Sequence, residues 1–344
     1  MPASGRASRP MDAFTIHGGR LSEARRRFPD APAPWIDLST GINPEPYPVR
    51  AATREERSRL PDPAEIAVLE AAAAQACGVE APSVLATAGA EAGIRLLAAA
   101  LPARRVGILE PAYGGHAEAW RAAGVEVKPI ARASLSGAAA CDLVVAVNPN
   151  NPDGALLSAA SLRELAWRMK ACGGWLVVDE AFIEASEVVS ATAQLEPDQR
   201  LITLRSFGKF YGLPGLRLGF LTAPPDLVDH LRARLGAWPV SADAIAAGCQ
   251  AYADQAWAAR TRERLAGAAA RLDRLLISAR LDVVGGTNLF RLAAAKDAPH
   301  RFHRLAQAGV LTRPFDYAPN WLRFGLPADE HWPRLQAALM ESAQ

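Results

Sequence analysis

The segment LITLRSFGKFYGLPGLRLG, residues 201–219, joins an apolar run to a cluster of polar residues and glycines. The run 201–204 is typical of a buried strand, and Ser206 and Lys209 follow its carboxyl end. Lysine occurs at only four positions in the chain, 128, 170, 209 and 296, so a lysine at a strand end stands out. The pattern predicts that this strand ends at a binding site.

On both sides of this segment, helical and strand-like segments alternate between residues 64 and 225. Apolar runs separated by helices predict a mostly parallel sheet that is covered by helices on both faces. The predicted strands are 83–87, 106–109, 125–130, 143–147, 175–178, 201–204 and 218–222, and the predicted helices are 65–77, 91–101, 115–123 and 161–171. We therefore expect an α/β fold with its ligand at the carboxyl ends of the strands.

The chain is predicted to divide into four regions. Residues 1–13 form a disordered N-terminus, since a Pro/Ser/Arg-rich segment offers little apolar surface. Residues 14–63 form an arm that packs partly on the small domain and carries a basic helix near 22–28. Residues 64–225 form the large domain, and residues 226–344 a small α/β domain with a linking helix. In the last region we expect a long helical stretch to about 279, strands at 282–284, 289–292, near 311 and at 321–325, and helices at 299–309 and 331–341.

Composition excludes several classes of function. Charged residues make up 22% of the 344 residues and the net charge is only +2, so neither nucleic acid nor an anionic membrane is an expected partner. No apolar run is long enough for a membrane span and no signal sequence is visible, so we expect a cytoplasmic protein. The four cysteines form no CxxC pair, and we expect neither a disulfide framework nor a metal site.

Familiar short motifs for nucleotide and zinc sites are absent. The sequence holds no GxxxxGK[ST], no GxGxxG and no HExxH. Residues 206–209 match the S-x-x-K pattern of some acyl-transfer serine enzymes, but the companion K-T-G is absent. That interpretation is therefore disfavoured.

Four polar clusters follow the predicted strands at their carboxyl ends. They are residues 148–152, Asp179, residues 206–209, and the turn 88–91 that leads into a helix. A helix N-terminus accepts a phosphate, and a buried carboxylate, an amide donor and a lysine complete the set that pyridoxal phosphate needs.

Each cluster has a predicted role toward that cofactor. The amides of Gly89, Ala90 and Glu91, together with Ser206 and Arg217, would hold the 5′-phosphate. Asp179 would keep the pyridine nitrogen protonated, which makes the ring an electron sink. Asn151 would donate to the 3′ oxygen, and Tyr113 would stack on the ring.

At this point the chain resembles the aspartate-aminotransferase fold family of pyridoxal-phosphate enzymes. The resemblance lies in NPNNPDG at 148–154, DEAF at 179–182 and SFGKFYGLPGLRLG at 206–219, and it extends from His17 to the last strand. It implies fold type I, a large domain with a mostly parallel seven-stranded sheet and a smaller α/β domain. It further implies that Lys209 holds the cofactor covalently and that the protein is a homodimer.

Within that fold the chain resembles the L-threonine-O-3-phosphate decarboxylases of cobalamin biosynthesis. The resemblance rests on HGGR at 17–20, DLSTGINP at 37–44, DEAF at 179–182 and KFYGLP at 209–214. Phe182 stands where aminotransferases usually have tyrosine, which leaves Asn151 as the main partner of the 3′ oxygen. The resemblance implies decarboxylation of L-threonine O-3-phosphate to (R)-1-amino-2-propanol O-2-phosphate. A histidinol-phosphate-type aminotransferase and a regulatory protein that has lost turnover remain alternatives.

The same resemblance assigns residues to a phosphorylated amino acid substrate. They are His17, Gly18, Asn43, Asn151, Arg313 and Arg323. His17 could instead be a surface residue, Asn43 the start of a turn, and Arg323 an exposed strand position. The sequence leaves open which arginine binds phosphate and which binds carboxylate, and it gives no role to Tyr47 or His116.

Overall fold

The computed structural model describes residues 12–133, 135–195 and 200–343. The predicted disorder over 1–11 lies outside the described residues, whereas Asp12 and Ala13, also predicted to be disordered, begin a short helix. The chain forms two compact units. The larger unit is Glu45–Glu263, and the smaller unit joins the chain up to Pro44 to the chain from Arg264 onward.

The boundaries of these units differ from the domain boundaries predicted from the sequence, which follow residues 63 and 225. Two contacts show why residues 45–63 group with the larger unit. Arg57 forms an ion pair with Asp243 at 2.7 Å, and the ring of Tyr47 lies 6.2 Å from that of Tyr211.

The strands are numbered in chain order. They are β1 Ile36–Asp37, β2 Val84–Thr87, β3 Arg105–Glu110, β4 Glu126–Ala131, β5 Leu143–Val147, β6 Trp175–Asp179, β7 Leu201–Ser206, β8 Gly219–Thr222, β9 Asp282–Thr287, β10 Phe290–Ala294, β11 Val310–Leu311, β12 Arg313–Pro314 and β13 Trp321–Gly325.

The helices follow the same numbering. They are α1 Asp12–Thr15, α2 Leu21–Arg27, α3 Arg54–Arg57, α4 Pro63–Cys77, α5 Ala90–Ala100, α6 Gly114–Ala122, α7 Ala159–Ala171, α8 Ala191–Gln194, α9 Phe207–Phe210, α10 Pro225–Leu235, α11 Ala242–Ala253, α12 Gln255–Ser278, α13 Ala298–Gln307 and α14 Trp332–Ser342. Among these helices of the described residues, none has the length and apolar character that a membrane crossing requires.

In the larger unit, the described strands form a seven-stranded sheet in the order β2-β8-β7-β6-β5-β3-β4. Strands β3 to β7 run parallel, while β8 is antiparallel to both of its neighbours. Successive residues of β5 enter different cores: Val145 joins one apolar cluster and Val144 another. Because side chains alternate across a strand, these clusters lie on opposite faces of the sheet. The predicted mostly parallel sheet, covered on both faces, is confirmed.

The smaller unit contains a four-stranded antiparallel sheet in the order β12-β13-β10-β9, and a parallel pair of β1 with β11. Strands β12 and β13 pair so that Arg313 lies directly opposite Arg323. The segment that precedes β1 packs on α13, where the ring of Phe14 lies 5.4 Å from that of Phe302. The smaller α/β unit thus includes the start of the chain.

The helical stretch predicted from 226 to 279 is three helices, α10, α11 and α12. Helix α10 ends at Gly236, whose φ of 89° a non-glycine residue rarely adopts, and Pro239 follows. Helix α11 starts anew at Ser241, whose side chain accepts a hydrogen bond from the amide of Ala244. Strand β1 was not predicted, since two residues are too short for a periodic pattern.

Candidate active site

A buried carboxylate ends the central strand of the larger unit. Asp179 is the last residue of β6 and only 4% exposed. One of its oxygens, Oδ2, lies 2.8 Å from Nε2 of His116 on α6, and the other accepts a hydrogen bond from the amide of Ala181 at 2.9 Å. Both oxygens of the buried carboxylate are therefore held in place, as a buried charge requires.

Tyr113 connects this carboxylate to the start of α5. Its ring lies 6.2 Å from that of His116, at an interplanar angle of 83°, and its hydroxyl donates to Oε2 of Glu91 at 3.2 Å. Burial and the charge of Glu91 raise the pKa of Tyr113, so its hydroxyl stays protonated. The predicted ring-stacking residue thus lies beside the predicted partner of the pyridine nitrogen.

The predicted phosphate site is a cradle at the N-terminus of α5. Gly89 has a φ of 88°, and a Cβ there would lie 2.5 Å from Nη2 of Arg217. A Cβ on Gly219 would lie 2.5 Å from the amide nitrogen of Ala90, and Gly219 pairs with Ser206 between β8 and β7. Helix amides and a guanidinium are therefore gathered with a hydroxyl, which is the donor set that a phosphate prefers.

Lys209 lies on α9, the short helix that follows β7. Its ammonium nitrogen lies 5.7 Å from the ring centroid of Phe182, which is 3% exposed. A cation over an aromatic face is attracted to the ring, so Phe182 holds the lysine in a defined position.

The loop that carries Asn151 is anchored beside Asp179. The amide of Asn148 donates to the carbonyl oxygen of Asp179 at 2.8 Å. Nδ2 of Asn150 donates to the carbonyl oxygen of Pro111 at 2.9 Å and to Oδ1 of Asp153 at 2.6 Å. Asn151, which is half-buried, follows these two fixed residues.

This side-chain set fits pyridoxal phosphate. A side chain at Gly89 would meet the guanidinium of Arg217, so the cradle keeps anion donors close together; Asp179 offers a buried carboxylate, and Lys209 offers a primary amine. In the described part of the chain, no group of three or more His, Cys, Asp or Glu residues is placed to hold a metal ion.

Two arginines face each other across adjacent strands of the smaller unit. Arg323, only 3% exposed, donates from Nη2 to the carbonyl oxygen of Ser39 at 2.8 Å, and Arg313 donates from Nη2 to that of Ile16 at 2.7 Å. Burial and the like charge of Arg313 lower the pKa of Arg323. The alternative that Arg323 is an exposed strand position is wrong.

The turn at His17 and Gly18 lies beside these arginines. The amide of Gly19 donates to Oγ of Ser39 at 2.7 Å, and a Cβ on Gly18 would overlap the carbonyl oxygen of Ser39. This is the same carbonyl that Arg323 binds, and Arg313 binds the residue before His17. His17 is half-buried, and the turn is thus held against the arginine pair.

Asn43 is more than the start of a turn. It is 2% exposed, and its Oδ1 accepts a hydrogen bond from Nη2 of Arg264 at 2.9 Å. Tyr47, in contrast, is 3% exposed in the larger unit, where its hydroxyl lies 3.3 Å from Oδ2 of Asp254 and its ring packs against Trp257. We interpret Tyr47 as a core residue.

Sequence reasoning gave no role to three residues that the structure connects to predicted ones. They are His116, which forms a hydrogen bond with Asp179; Ser39, which accepts hydrogen bonds from Arg323 and from the amide of Gly19; and Arg264, which donates a hydrogen bond to Asn43. For His116 a signal was available, because it follows Tyr113 by three residues on α6 and so shares a helix face with it. No local pattern marks Ser39 or Arg264.

The chain matches known proteins over most of its length. Residues 33–338 match the family described as aminotransferase class I and II. It is 41% identical to a threonine-phosphate decarboxylase of Sinorhizobium sp., over 93% of this chain and 95% of that protein. It is 42% identical to a threonine-phosphate decarboxylase of Pseudomonas aeruginosa, over 94% of this chain and 97% of that protein.

Solved structures share the fold. A histidinol-phosphate aminotransferase of Sinorhizobium meliloti, in complex with pyridoxal 5′-phosphate, aligns with a TM-score of 0.80 at 20% identity, over 99% of this chain and 98% of that one. An L-threonine-O-3-phosphate decarboxylase of Porphyromonas gingivalis aligns with a TM-score of 0.74 at 20% identity, over 88% of this chain and 98% of that one. With its fold and the long family match, the chain belongs to the class I and II aminotransferase family.

Proposed function

We propose that the protein is a pyridoxal-phosphate-dependent carboxy-lyase. It would convert L-threonine O-3-phosphate to (R)-1-amino-2-propanol O-2-phosphate in cobalamin biosynthesis. Two relatives above 40% identity that carry the name threonine-phosphate decarboxylase support this assignment. The single observation on which it depends is the cross-strand pair of half-buried Arg313 and buried Arg323.

The arginine pair suits a doubly anionic substrate. A phosphate carries about 1.5 to 2 negative charges at neutral pH, and the α-carboxylate adds one more. The like charge of Arg313 lowers the pKa of Arg323, so an added anion beside the pair would favour both charged guanidinium groups. His17 and Asn43 would add donors to the same anionic groups, and Asn151 is the remaining residue that the resemblance assigns to the substrate.

The residues of the larger unit would prepare the cofactor. Bound pyridoxal phosphate supplies a protonated pyridine ring that accepts the electron pair of a bond broken at the α-carbon of the substrate. Asp179 would keep the proton on the ring nitrogen, and His116 would hold the carboxylate in place for that task. Lys209 would carry the cofactor covalently, and the cradle of Gly89, Ala90, Glu91, Ser206 and Arg217 would hold its phosphate.

Two properties of the assembly belong to the same proposal. The protein would act as a homodimer in the cytoplasm. A net charge of +2 and the scarcity of lysine give no support to a nucleic-acid or membrane partner.

Product analysis tests the proposed reaction. The holoenzyme would be incubated with L-threonine O-3-phosphate labelled in its carboxylate, and released carbon dioxide and the amine product would be measured. We expect one carbon dioxide for each amine formed, without any keto acid. Transfer of the amine from histidinol phosphate to 2-oxoglutarate, with no carbon dioxide released from the phospho-amino acid, would assign the protein to the aminotransferases instead.

A further inference from the structure

Arg205, on β7, places a buried guanidinium between two glutamates. It is 5% exposed, its Nε lies 3.0 Å from Oε2 of Glu180, and its Nη1 donates to Oε1 of Glu184 at 3.1 Å. Burial raises the pKa of both glutamates, although the charge of Arg205 lowers it. Burial opposes the charge of Arg205 as well, but the glutamates raise the pKa of Arg205, so the guanidinium stays charged.

This ion pair begins where the backbone pairing of β6 and β7 ends. The last backbone partners are Asp179 and Leu204, and the amide of Glu180 donates to the carbonyl oxygen of Leu204 at 2.9 Å. Beyond that hydrogen bond, β7 continues to Ser206, while the chain after Asp179 leaves the sheet. Arg205 and Glu180 are the next residue of each strand end, so their side chains continue the connection between the two ends.

The residues beside the ion pair belong to the predicted cofactor site. Asp179 directly precedes Glu180, and Ser206 directly follows Arg205. Because side chains alternate along a strand, Arg205 and Ser206 point to opposite faces of the sheet. The ion pair therefore lies on the face opposite Ser206, where it can hold the two strand ends together without entering the phosphate cradle.

Arg205 also holds both ends of the turn 180–184. Glu180 begins this turn and Glu184 ends it, and both carboxylates contact the same guanidinium. Phe182 lies between them in the chain, and its ring centroid is 5.7 Å from the ammonium nitrogen of Lys209. One arginine thus connects the turn that contacts the predicted cofactor lysine to the strand that precedes this lysine.

We infer that Arg205 is a positioning residue, which sets the separation between the protein groups for the pyridine ring and for the phosphate of the cofactor. This inference rests on the proposed function, in which Asp179 holds the ring nitrogen of pyridoxal phosphate and Ser206 its phosphate. The phosphate is joined to a rigid ring by a short arm, so the two protein groups have to lie at a matching distance. A buried link between the two strand ends keeps that distance before the cofactor binds.

Arg205→Lys should loosen this link while it keeps the positive charge. A lysine ammonium is a point charge and lacks the rigid fork that contacts two carboxylates at once. We expect the variant to raise the dissociation constant of pyridoxal phosphate by roughly ten- to a hundredfold, because hydrogen bonds to the charged cofactor become misaligned.

Arg301→Lys is the matched control for this substitution. Arg301 is likewise 5% exposed and forms an ion pair, with Asp297 at 2.9 Å, but it belongs to the smaller unit. A lysine there weakens a buried ion pair that has no connection to Asp179 or Ser206. The dissociation constant of the cofactor should therefore equal that of the parent.

Equilibrium dialysis of each holoenzyme against decreasing concentrations of pyridoxal phosphate tests the inference. The dissociation constant follows from the cofactor bound at each concentration, and thermal unfolding midpoints are measured beside it. Both lysine variants should have lower midpoints than the parent, but only Arg205→Lys should lose the cofactor more readily. A lower midpoint with an unchanged dissociation constant would show that Arg205 serves only the stability of the fold, and would overturn the inference.

Glu180→Gln tests the same link from the other strand, and it decides the matter if the lysine variant does not fold. The glutamine has the shape of glutamate and can still accept the hydrogen bond from the amide of Ala191, which is 2.7 Å long in the parent. It lacks the charge that faces Arg205, so the dissociation constant should rise here as well. The double variant should bind the cofactor little worse than either single variant, since all three lose the same link.

An unchanged dissociation constant in Glu180→Gln, or losses that multiply in the double variant, would overturn the inference. The parent protein separates the inference from the proposed reaction. A parent that binds pyridoxal phosphate but releases no carbon dioxide from the phospho-amino acid would contradict the proposed function alone, and the dialysis series would decide the role of Arg205. A parent that does not bind the cofactor would overturn both.

Discussion

Two groups of charged residues, one in each unit, contrast in the signs of their neighbours. In the larger unit, Asp179 lies against His116, and the side chain of Arg205 lies 3.0 Å from Glu180 and 3.1 Å from Glu184. In the smaller unit, Arg313 lies opposite Arg323, so two charges of the same sign are neighbours. The first arrangement brings opposite charges together, while the second brings like charges together.

We propose that this difference separates the residues that hold a resident cofactor from those that receive a ligand. A buried charge with an internal partner is stable without any ligand, which suits residues that keep a cofactor in place. The like charge of Arg313 lowers the pKa of Arg323, so an anionic ligand beside the pair would favour the charged guanidinium groups. The following predictions test this contrast, from the largest expected effect to the smallest.

Lys209→Ala should abolish turnover, with a loss on the order of 10⁴-fold, because the only amine predicted to carry the cofactor is removed. The measurement is kcat/KM of the variant with saturating cofactor. Lys296→Ala is the control, since Lys296 is an exposed lysine of the smaller unit and should leave kcat/KM unchanged.

Peptide mapping after borohydride reduction checks the same residue in the parent protein. The pyridoxyl label should appear on the peptide that contains Lys209. A label on the peptide of Lys128, Lys170 or Lys296 would remove Lys209 from the site.

Asp179→Asn should keep the cofactor but lose about a thousandfold in kcat, which corresponds to roughly 4 kcal/mol of transition-state stabilisation. A neutral amide cannot keep the proton on the ring nitrogen. Cofactor content and kcat are measured together, with Asp226→Asn, on the exposed first turn of α10, as the control. Activity within a few-fold of the parent would show that Asp179 has no such role.

Arg323→Met should lower kcat/KM and raise the free energy of unfolding. Removal of the buried charge of Arg323, whose pKa is lowered by burial and by the like charge of Arg313, should raise the free energy of unfolding by about 1–4 kcal/mol. The same change should lower kcat/KM for the phosphorylated substrate by roughly a hundredfold or more.

Thermal unfolding in inorganic phosphate separates these two effects. Added phosphate should raise the unfolding temperature of the parent but not that of Arg323→Met, because a ligand stabilises only a protein that binds it. A variant that is less stable than the parent and still responds to phosphate would contradict the proposed contrast between the units.

His116→Phe should produce the smallest of these losses, about ten- to a hundredfold in kcat, since it removes one hydrogen bond to a charged carboxylate. His116→Gln retains a donor and should recover part of the activity. If the phenylalanine variant equals the parent, Asp179 does not depend on His116 for its position.

How much the sequence could predict differs between the two units. The sheet of the larger unit was predictable because its buried strands are continuous apolar runs, and its polar clusters follow those runs directly. Lys209, Asp179 and the turn at Gly89 could therefore be found from local pattern alone. Partial packing of the arm on the small domain was predicted, but its strand pairing was not, because β1 has two residues and pairs with β11 more than 270 positions away.

The side-chain contacts of the smaller unit could not be predicted from local sequence patterns either. The opposition of Arg313 and Arg323 depends on the register of β12 and β13, and the bond from Arg264 to Asn43 joins residues 221 positions apart. Both contacts depend on tertiary structure: the resemblance identified Arg313, Arg323 and Asn43 one by one, but not the residues that they contact. The three helices between 225 and 278 were predicted as one helical stretch, because the Arg/Ala-rich composition gives little sign that helices end before Gly236 and Asp254.

The phosphate preference of the parent enzyme tests the central claim most directly. The measurement is kcat/KM for L-threonine O-3-phosphate and for L-threonine, with carbon dioxide as the product followed. Because the arginine pair would use the binding energy of the phosphate to orient the bond that breaks, we expect the phosphorylated substrate to be preferred by several decades, with kcat affected as well as KM. Equal turnover of the two amino acids would contradict the account.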